Sequence, residues 1–321
     1  MHFKETQIAI HQVSSFFKNQ LEVNLNLVPV VGPIILDPQT GLNDHLANEK
    51  YQAVSFFAEG LNKKLEVVQS LAKWKRYALT KYEYQNYEGI YVDMKAIRAH
   101  EELDNLHSLF VDQWDWELII QKQDRHLDFL KATVNKIYDA IYKTKTHLKQ
   151  LYPQLKQTLA TEVKFFSSQE LEDLYPGEDF EVITNKITKV YQSVFIMQIG
   201  KKLKSNQVFD SRSAEYDDWE LNGDLFVWSD AINQAIELSS MGIRVDANSL
   251  IKQAKIKDHK NLNPYFEAVL NDQLCQTIGG GIGQSRLIMF LLEKHHLGEV
   301  QVSPWDQKNI DQAQKDGIEL L

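Results

Sequence analysis

Apolar residues recur every three or four positions along three long stretches of the chain. This spacing predicts amphipathic helices at residues 4–26, 124–152 and 285–294, because residues so spaced share one face of an α-helix. In the second stretch the apolar face consists of Leu127, Leu130, Val134, Ile137 and Ile141. A further helix is predicted to begin at the segment SSQE, Ser167 to Glu170, which has the form of a capping box.

Short runs rich in β-branched and aromatic residues predict strands between these helices. They lie at residues 90–98, 108–120, 163–167, 194–199, 224–229, 236–245 and 276–283. The connection between the first two runs is too short for a crossover helix, so they are predicted to form an antiparallel pair. We therefore predict an α+β fold with a mostly antiparallel sheet flanked by helices. No repeat or linker-like segment divides the sequence, and we expect one domain over residues 1–321.

Composition and charge exclude several classes of binding partner for this protein. The 321 residues are 43% hydrophobic and 25% charged, and 35 Lys plus Arg against 44 Asp plus Glu give a net charge of -9. Such a chain repels a phosphate polymer, so we expect no nucleic acid partner. The sequence has no signal-peptide pattern and no apolar run of roughly 18 residues, so we expect a cytoplasmic protein without a membrane partner. The single cysteine, Cys275, excludes intrachain disulfides and cysteine-rich metal sites.

Two predicted strands carry polar side chains on one face. In VDQWDWE, residues 111–117, the period of two places Gln113, Asp115 and Glu117 on one side and the tryptophans on the other. In IELSSMGIRV, residues 236–245, Glu237 shares a face with Ser239, and Arg244 follows. A single polar face is typical of a solvated sheet surface. Two such strands beside a glycine-rich strand instead indicate the floor of a binding site.

The glycine-rich strand is TIGGGIGQSRL, residues 277–287. It lacks the Lys-Ser/Thr ending of a phosphate-binding P-loop, and Gln284 replaces the last glycine of a dinucleotide-binding fingerprint. Glycine inside a strand often marks the close approach of a ligand or of another backbone. We expect a bare surface for a flat ring or a sugar, with Arg286 in the first turn of a helix whose N-terminus favours anions. The alternative explanation of the glycines is structural: they would allow the sheet to pack tightly against a helix.

These segments resemble a known family. GGGIGQSR is similar to motif 3 of class II aminoacyl-tRNA synthetases, and AIRAHEELDNLHSLFVDQWDWE is similar to their motif 2. Further segments extend the resemblance to the ammonia-dependent asparagine synthetases, the aspartate-ammonia ligases: SLAKWKR, LHS, VDQWDWE, YDDW, LNGD, ELSSMGIRVD and QTIGGGIGQSR, in that order. Ser285 stands where the tRNA synthetases carry an acid. YDDWELNGD is interpreted as a short connection. The sequence therefore does not determine the structure of the loop that would cover the active site.

The resemblance implies a class II synthetase-like fold and a reaction in which aspartate, ATP and ammonia give asparagine, AMP and pyrophosphate through β-aspartyl-AMP. It implies that Arg98 binds the α-phosphate and that Arg286, Gly281 and Gly283 hold the nucleotide. Asp224 and Glu237 are implied as candidates for Mg²⁺. ATP and Mg²⁺ are therefore the expected cofactors. His100 and His107 lie in the motif 2 loop and are expected at the loop surface, with contact to ATP as the alternative.

The aspartate site implied by the resemblance pairs acids with bases. It consists of Lys75, Gln113, Asp115, Arg212, Asp217, Ser239, Ser240 and Arg244. Asp115 and Asp217 would face the α-ammonium, and Lys75 or Arg244 the carboxylates. Asp44 would bind ammonium or take its proton, since ammonium is no nucleophile until deprotonated. Asp217 and Asp218 cannot be distinguished from the sequence.

Lys75 lies in the charge run KWKR, for which a solvated helix face is the simpler interpretation. We expect that interpretation to hold for Lys73 and Arg76.

Free ammonia is the expected donor, because His2 stands where the glutamine-dependent synthetases carry a cysteine nucleophile. Two alternatives are an aspartyl- or asparaginyl-tRNA synthetase, disfavoured by the charge of -9 and the absence of an anticodon-binding domain, and an inactive paralogue acting as a sensor. The presence of Arg98, Glu237 and Arg286 disfavours the second. The apolar segment NLVPVVGPIIL, residues 26–36, predicts the interface of a homodimer.

Overall fold

The computed structural model describes residues 1–44, 52–258 and 263–321. An eight-stranded sheet dominates these ranges, in the order β1-β5-β6-β11-β10-β9-β8-β7. Its strands are β1 (Leu27–Val30), β5 (Gly89–Ile97), β6 (Phe110–Ile119), β7 (Lys164–Ser167), β8 (Ser193–Met197), β9 (Asp217–Ser229), β10 (Gln234–Arg244) and β11 (Thr277–Gly283). The two edge pairs, β1 with β5 and β7 with β8, are parallel, and the pairs between them are antiparallel. The prediction of a mostly antiparallel sheet and of the β5–β6 hairpin is confirmed.

A small antiparallel sheet lies beside the large one and has the order β2-β4-β3. Its strands are β2 (Ile35–Leu36), β3 (Ser55–Ala58) and β4 (Lys63–Val67). The helices are α1 (Phe3–Leu25), α2 (Ala72–Lys81), α3 (Leu127–Leu151), α4 (Ser168–Leu174), α5 (Phe180–Tyr191), α6 (Ala247–Ile256), α7 (Pro264–Leu270), α8 (Gln284–Leu291) and α9 (Gln307–Lys315). The predicted capping box is present, since Ser167 and Glu170 bond reciprocally at the start of α4.

The two faces of β6 divide the molecule into a core side and a site side. Trp114 and Trp116 are almost fully buried, and Trp114 packs against Phe17 of α1 at 4.8 Å between ring centroids. Helices α1, α3 and α8 cover this face with apolar side chains. The opposite face carries the polar residues of β6, and α2 packs over part of it. The alternation predicted for VDQWDWE therefore positions the functional face.

One strand prediction was too short. β9 begins at Asp217 instead of residue 224, so the segment interpreted as a connection is part of the sheet. Asp217 and Asn222 are paired with Arg244 and Gly242 of β10. The backbone bonds of a central strand, and a partner strand already in place, override the low β propensity of Asp, Asn and Gly.

Candidate active site

A cavity of about 610 Å³ opens on the polar face of β6, β11 and β10. Its wall is completed by residues 98–112, which run from the end of β5 into β6, and by residues 210–217, which lead into β9. Most of the predicted site residues line it: Arg98, Gln113, Asp115, Arg212, Asp217, Glu237, Ser239, Ser240, Arg244, Gly281, Gly283 and Arg286. Asp44, Lys75 and Asp224 lie behind this wall. The sheet thus brings together residues from five separate regions of the sequence.

The glycines of β11 make room for side chains of the neighbouring strands. In the register of the sheet, Gly279 lies opposite Glu117, and Gly281 lies opposite Asp115. A Cβ atom on Gly279 would lie 2.6 Å from a guanidinium nitrogen of Arg244, and one on Gly281 would lie 2.7 Å from Cδ of Gln113. At both positions the space expected for a ligand is taken by the protein's own site residues. On this face of β11 the space beside the backbone is open only at the end of the strand, at Gly283.

Gly283 ends the strand at that open position. The nearest neighbour of a Cβ atom there, in the described part of the chain, would be Cβ of Arg286 at 3.6 Å. The wall of the cavity is bare backbone at this point. The predicted close approach of a ligand therefore remains a prediction for Gly283.

A buried cluster of acids and bases forms the deep end of the site. Arg244 Nε donates to Glu117 Oε1 at 2.9 Å, and Nη2 donates to Glu117 Oε2 at 2.7 Å. Its Nη1 is bonded to Asp217, and Lys75 is bonded to Asp115. These three carboxylates face two cations. One further positive charge, such as the α-ammonium of an amino acid, would balance the cluster.

The pKa values of the cluster follow from burial and pairing. Burial would raise the pKa of Glu117, but the bidentate Arg244 guanidinium holds it below its ordinary value. Burial raises the pKa of Asp115 and of Asp217, against the opposing effect of Lys75 and Arg244. The two carboxylates with raised pKa values are those for which the cations compensate burial least. They are also the two that line the cavity.

Asp44 holds the N-terminus of α2. Its carboxylate accepts hydrogen bonds from the backbone amides of Ala72 at 2.6 Å and Lys73 at 3.2 Å, and from the Ser70 hydroxyl at 2.5 Å. Asp115 accepts a further bond from the Leu71 amide at 3.1 Å. Both carboxylates therefore cap the start of the helix that carries Lys75. Asp44 lies beside the cavity, because Ser70 and Ala72 are part of its wall.

The expectation that Lys73 and Arg76 are solvated was wrong. Both side chains are almost fully buried. Lys73 Nζ pairs with Glu215 at 2.7 Å, and Arg76 donates to the carbonyls of Cys275 at 2.9 Å and Val245 at 2.8 Å. The partners of Lys73 and Arg76 lie more than 100 residues away, so the local pattern could not indicate them. Helix α2 is tied to the sheet by three buried cations.

Arg98 and Arg286 face the cavity with guanidinium groups that are only partly engaged. Arg98 pairs with Glu101 at 3.9 Å, and its Nε is buried without a hydrogen-bond partner in the described structure. Burial lowers the pKa of Arg98, and the nearby Arg286 adds to this effect. Arg286 Nε donates to the carbonyl of Leu106 at 3.1 Å. Arg286 also pairs with Glu237 at 4.0 Å. Two neighbouring guanidinium groups with carboxylate partners this distant keep donors available for a phosphate group.

Arg212 joins the segment before β9 to the sheet. It is bonded to Asp224, donates to Ser240 Oγ at 2.9 Å and pairs with Asp210 at 3.1 Å. The other oxygen of Asp224, Oδ1, is buried without a hydrogen-bond partner in the described residues. Burial raises the pKa of Asp224 to about 7; Arg212 opposes this shift and Glu237 adds to it. The side chain of Glu237 is 37% exposed and lines the cavity.

The structure distinguishes several residues that the sequence could not. Asp217 lines the cavity, whereas Asp218 pairs with Arg125 at 2.9 Å. His107 lines the cavity with its Nδ1 2.9 Å from Asp104, and His100 is exposed outside the lining. Arg125, which also donates to the carbonyl of Arg244 at 2.5 Å, was not predicted. It lies within the stretch 124–152 that is predicted to be helical, but α3 begins only at Leu127, and helical periodicity gives no indication of a site residue.

The sequence of the chain matches known proteins along nearly its whole length. The sequence profile of the family described as aspartate-ammonia ligase matches residues 4–317. The chain belongs to the aspartate-ammonia ligase family. Among its curated relatives, the aspartate-ammonia ligase of Ureaplasma urealyticum serovar 10 is 52% identical over 320 residues, covering 99% of this chain and 97% of the relative. The enzyme of Clostridium tetani is 46% identical over 325 residues, covering 100% of this chain and 95% of that protein. The family prediction is confirmed.

The fold of this aspartate-ammonia ligase family member is that of class II aminoacyl-tRNA synthetases. It is similar to the asparaginyl-tRNA synthetase of Pyrococcus horikoshii, whose structure contains asparaginyl-adenylate, with a TM-score of 0.67, 14% identity, and coverage of 94% of this chain and 70% of that one. A putative aspartyl-tRNA synthetase from Leishmania major Friedlin gives a TM-score of 0.62 at 15% identity, covering 94% and 64%. The predicted fold is confirmed. The comparisons give no support to an inactive sensor.

Proposed function

We propose that the chain catalyses the ATP-dependent amidation of L-aspartate by ammonia, giving L-asparagine, AMP and pyrophosphate through β-aspartyl-AMP. The observation that carries the proposal is the division of one cavity into two sets of charges. The part with Arg98 and Arg286 presents two guanidinium groups whose carboxylate partners, Glu101 and Glu237, are only 3.9 and 4.0 Å away at the limit of an ion pair. The part with Asp115, Asp217 and Arg244 has one carboxylate in excess. A nucleoside triphosphate fits the part with Arg98 and Arg286, and an amino acid fits the part with Asp115, Asp217 and Arg244.

In the first half-reaction the side-chain carboxylate of aspartate attacks the α-phosphorus of ATP and displaces pyrophosphate. Arg98 binds the α-phosphate, where its fork of donors stabilises the charge that develops in the transition state. Arg286 holds the nucleotide from the first turn of α8. Gly281 and Gly283 form the wall of the nucleotide site, with the open surface at Gly283.

In the aspartate site, Asp115 and Asp217 bind the α-ammonium, and Lys75 and Arg244 fix these acids and attract the substrate carboxylates. Gln113, Arg212, Ser239 and Ser240 supply the remaining polar contacts. Binding both substrates in one cavity places the attacking oxygen beside the α-phosphorus, and this positioning lowers the barrier of a reaction between two anions.

We also propose Asp224 and Glu237 as Mg²⁺ ligands. The buried Oδ1 of Asp224 has no hydrogen-bond partner in the described residues, and carboxylate oxygens are the ligands that Mg²⁺ prefers. In the described ranges no group of three or more His, Cys, Asp and Glu side chains is placed to hold a metal ion, so phosphate oxygens of ATP would complete the site. Bound Mg²⁺ would neutralise phosphate charge.

In the second half-reaction ammonia attacks the acyl carbon and AMP leaves. Asp44 is our candidate for the group that receives a proton from ammonium, since its fully buried carboxylate lies next to the cavity residues Ser70 and Ala72. The segment that follows Asp44, residues 45–51, lies outside the described residues. The hydrogen bonds that Asp44 accepts from the amides of Ala72 and Lys73 fix the position of its carboxylate.

We further propose that residues 1–321 form one catalytic domain, that the protein is cytoplasmic, and that it is a homodimer. The apolar side chains of Val28, Val31 and Ile34 are 53%, 96% and 61% exposed in the segment predicted to form the interface. Among the described residues no helix has the length and apolarity to cross a membrane.

The deciding experiment incubates the purified protein with ATP, Mg²⁺ and aspartate, with ammonium chloride in one arm and glutamine in the other. We expect asparagine and AMP in equal amounts with ammonium only. Asparagine in the glutamine arm would contradict the free-ammonia donor. The absence of asparagine and of pyrophosphate exchange into ATP would overturn the proposed function.

A further inference from the structure

A polar network lies on the core side of β6, where the sequence pattern predicts apolar contacts. Asp112 shares the face of Trp114, which is buried in the apolar core. Its carboxylate is directed at the start of α8, where it accepts hydrogen bonds from the Ser285 amide at 3.1 Å and from the Ser285 hydroxyl at 2.7 Å. A carboxylate on this face costs desolvation free energy that an apolar residue would not. This cost calls for a role other than core packing.

Two further side chains extend the network across the wall of the cavity. Gln301 Nε2 donates to Ser285 Oγ at 2.9 Å and to the carbonyl of Phe110 at 3.1 Å. Its Oε1 accepts a bond from the Ser108 hydroxyl at 2.5 Å. Ser108, Ser285 and Gln301 are almost fully buried, and together with Asp112 they line the nucleotide end of the cavity. The network joins the motif 2 loop, β6 and α8.

The network adjoins the residue that holds the nucleotide. Arg286 follows Ser285 directly, and its Nε donates to the carbonyl of Leu106, two residues before Ser108. The start of α8 and the end of the loop are therefore connected twice, once through Arg286 and once through Ser285 and Gln301. The direction of the Arg286 guanidinium depends on how these two segments lie relative to each other.

We propose that Asp112, acting through Ser285, is a positioning residue for Arg286 and thereby sets the affinity for ATP. This inference rests on the proposed function and adds to it a residue that acts on nucleotide binding through Arg286. Asp112 also accepts a hydrogen bond from the Ser285 amide in the first turn of α8, so this amide is not available to a phosphate.

The test compares Asp112→Ala and Ser285→Ala with the conservative variants Asp112→Asn and Ser285→Thr. For each protein the ATP affinity is measured by calorimetry without aspartate, and KM for ATP, KM for aspartate and Tm are measured as well. We expect the alanine variants to weaken ATP binding about tenfold, the loss of a hydrogen bond to a charged group, and to leave KM for aspartate within about twofold. Ser285→Thr restores the hydroxyl and recovers most of the affinity.

A matched control is Thr144→Val, which removes a fully buried hydroxyl whose bond to the Ala140 carbonyl lies in α3, away from the cavity. It should lower Tm without changing either KM. The positioning role is overturned if the Asp112 and Ser285 variants behave like this control, or if both KM values rise together. Should the alanine variants fail to fold, Ser285→Cys decides, because a thiol of similar size donates only weakly to Asp112: unchanged ATP affinity overturns the inference, and a loss of about threefold or more supports it. A wild-type protein that makes no asparagine would refute the proposed function itself, which the wild-type arm reveals separately.

Discussion

Arg98 extends from the end of β5 into the cavity, and its one ion pair among the described residues is with Glu101 at 3.9 Å. An arginine with so few partners is available for a ligand. Its planar fork suits a phosphate, whereas lysine presents a point charge. A lysine at this position would keep the positive charge but lose the planar set of donors, so replacing Arg98 by lysine separates a catalytic role from a structural one.

We predict that Arg98→Lys lowers kcat about a hundredfold, because one preorganised donor to the developing charge is lost. The free energy of unfolding should change by less than about 1 kcal/mol, since the native ion pair is partly exposed. Pyrophosphate exchange and thermal unfolding measure the two quantities. Full exchange activity in the variant would exclude Arg98 from the phosphate site.

His296 gives a pH dependence of stability with a definite sign. Burial lowers its pKa from 6.5, and the opposing effects of Asn309 and Glu299 are smaller. Because the folded pKa lies below the unfolded one, the unfolded chain binds more protons as the pH falls through about 6.5. The stabilisation is therefore complete above that pH and is lost below it. The Tm of the wild-type protein should fall between pH 7 and pH 5, and the Tm of the His296→Gln variant should fall less steeply. An equal dependence of Tm on pH in the two proteins would show that His296 is not the group responsible.

Individual residues also show what sequence could and could not predict. Alternation placed Gln113 and Asp115 on the site face correctly, because strand geometry fixes side-chain direction. Lys73 and Arg76 were misjudged because their partners Glu215 and Cys275 are distant in sequence. Burial of a charge depends on such long-range partners, which a local pattern does not contain.

At the scale of elements, the period of two gives β11 two faces with different tolerances. A Cβ atom on Gly280 would collide with the carbonyl of Ser240 and lie 2.5 Å from Cβ of Met241, on the core side. On the site side, Gly281 faces only the movable end of the Gln113 side chain, and Gly283 has space. The same chemical change should have three different outcomes along one strand.

Gly280→Ala should cost about 1–3 kcal/mol of stability, because the backbone cannot move aside cheaply. Gly281→Ala should keep the fold and raise KM for aspartate by displacing Gln113. Gly283→Ala should keep the fold and raise KM for ATP only if the nucleotide lies against that backbone. Unfolding curves and the two KM values separate these outcomes, and equal destabilisation by all three substitutions would mean that the strand is limited by packing alone.

The pattern of elements was predictable where periodicity was strong, as in α3, whose predicted apolar face forms part of the core. It failed at the start of β9, where Asp217–Asn222 has no strand signal and extends the sheet because β10 supplies a partner. The site depends on that extension, since Asp217 enters the cavity from it. Pairing across a sheet is a tertiary property, and it decided what local propensity could not.

At the scale of the whole molecule, β1 forms an edge of the described large sheet, next to an exposed apolar segment. Val31 and Ile34 are 96% and 61% exposed, although nearby proline residues limit the pairing of this segment with another strand. An apolar surface of this kind is typical of an interface buried in an oligomer. Side-chain packing, more than strand pairing, would then hold the two chains together.

We predict that the wild-type protein has twice the mass of one 37.2 kDa chain in solution and that Val31→Asp combined with Ile34→Asp shifts it to the monomer. Burying two carboxylates without partners at the interface costs more than such a contact can supply. The matched control, Val302→Asp, changes a valine that is 75% exposed elsewhere and should leave the dimer intact. Light scattering after gel filtration, over a range of concentrations, measures the mass. A monomeric wild type would contradict the predicted homodimer. A dimer that survives the double substitution would place the interface on a surface other than residues 26–36.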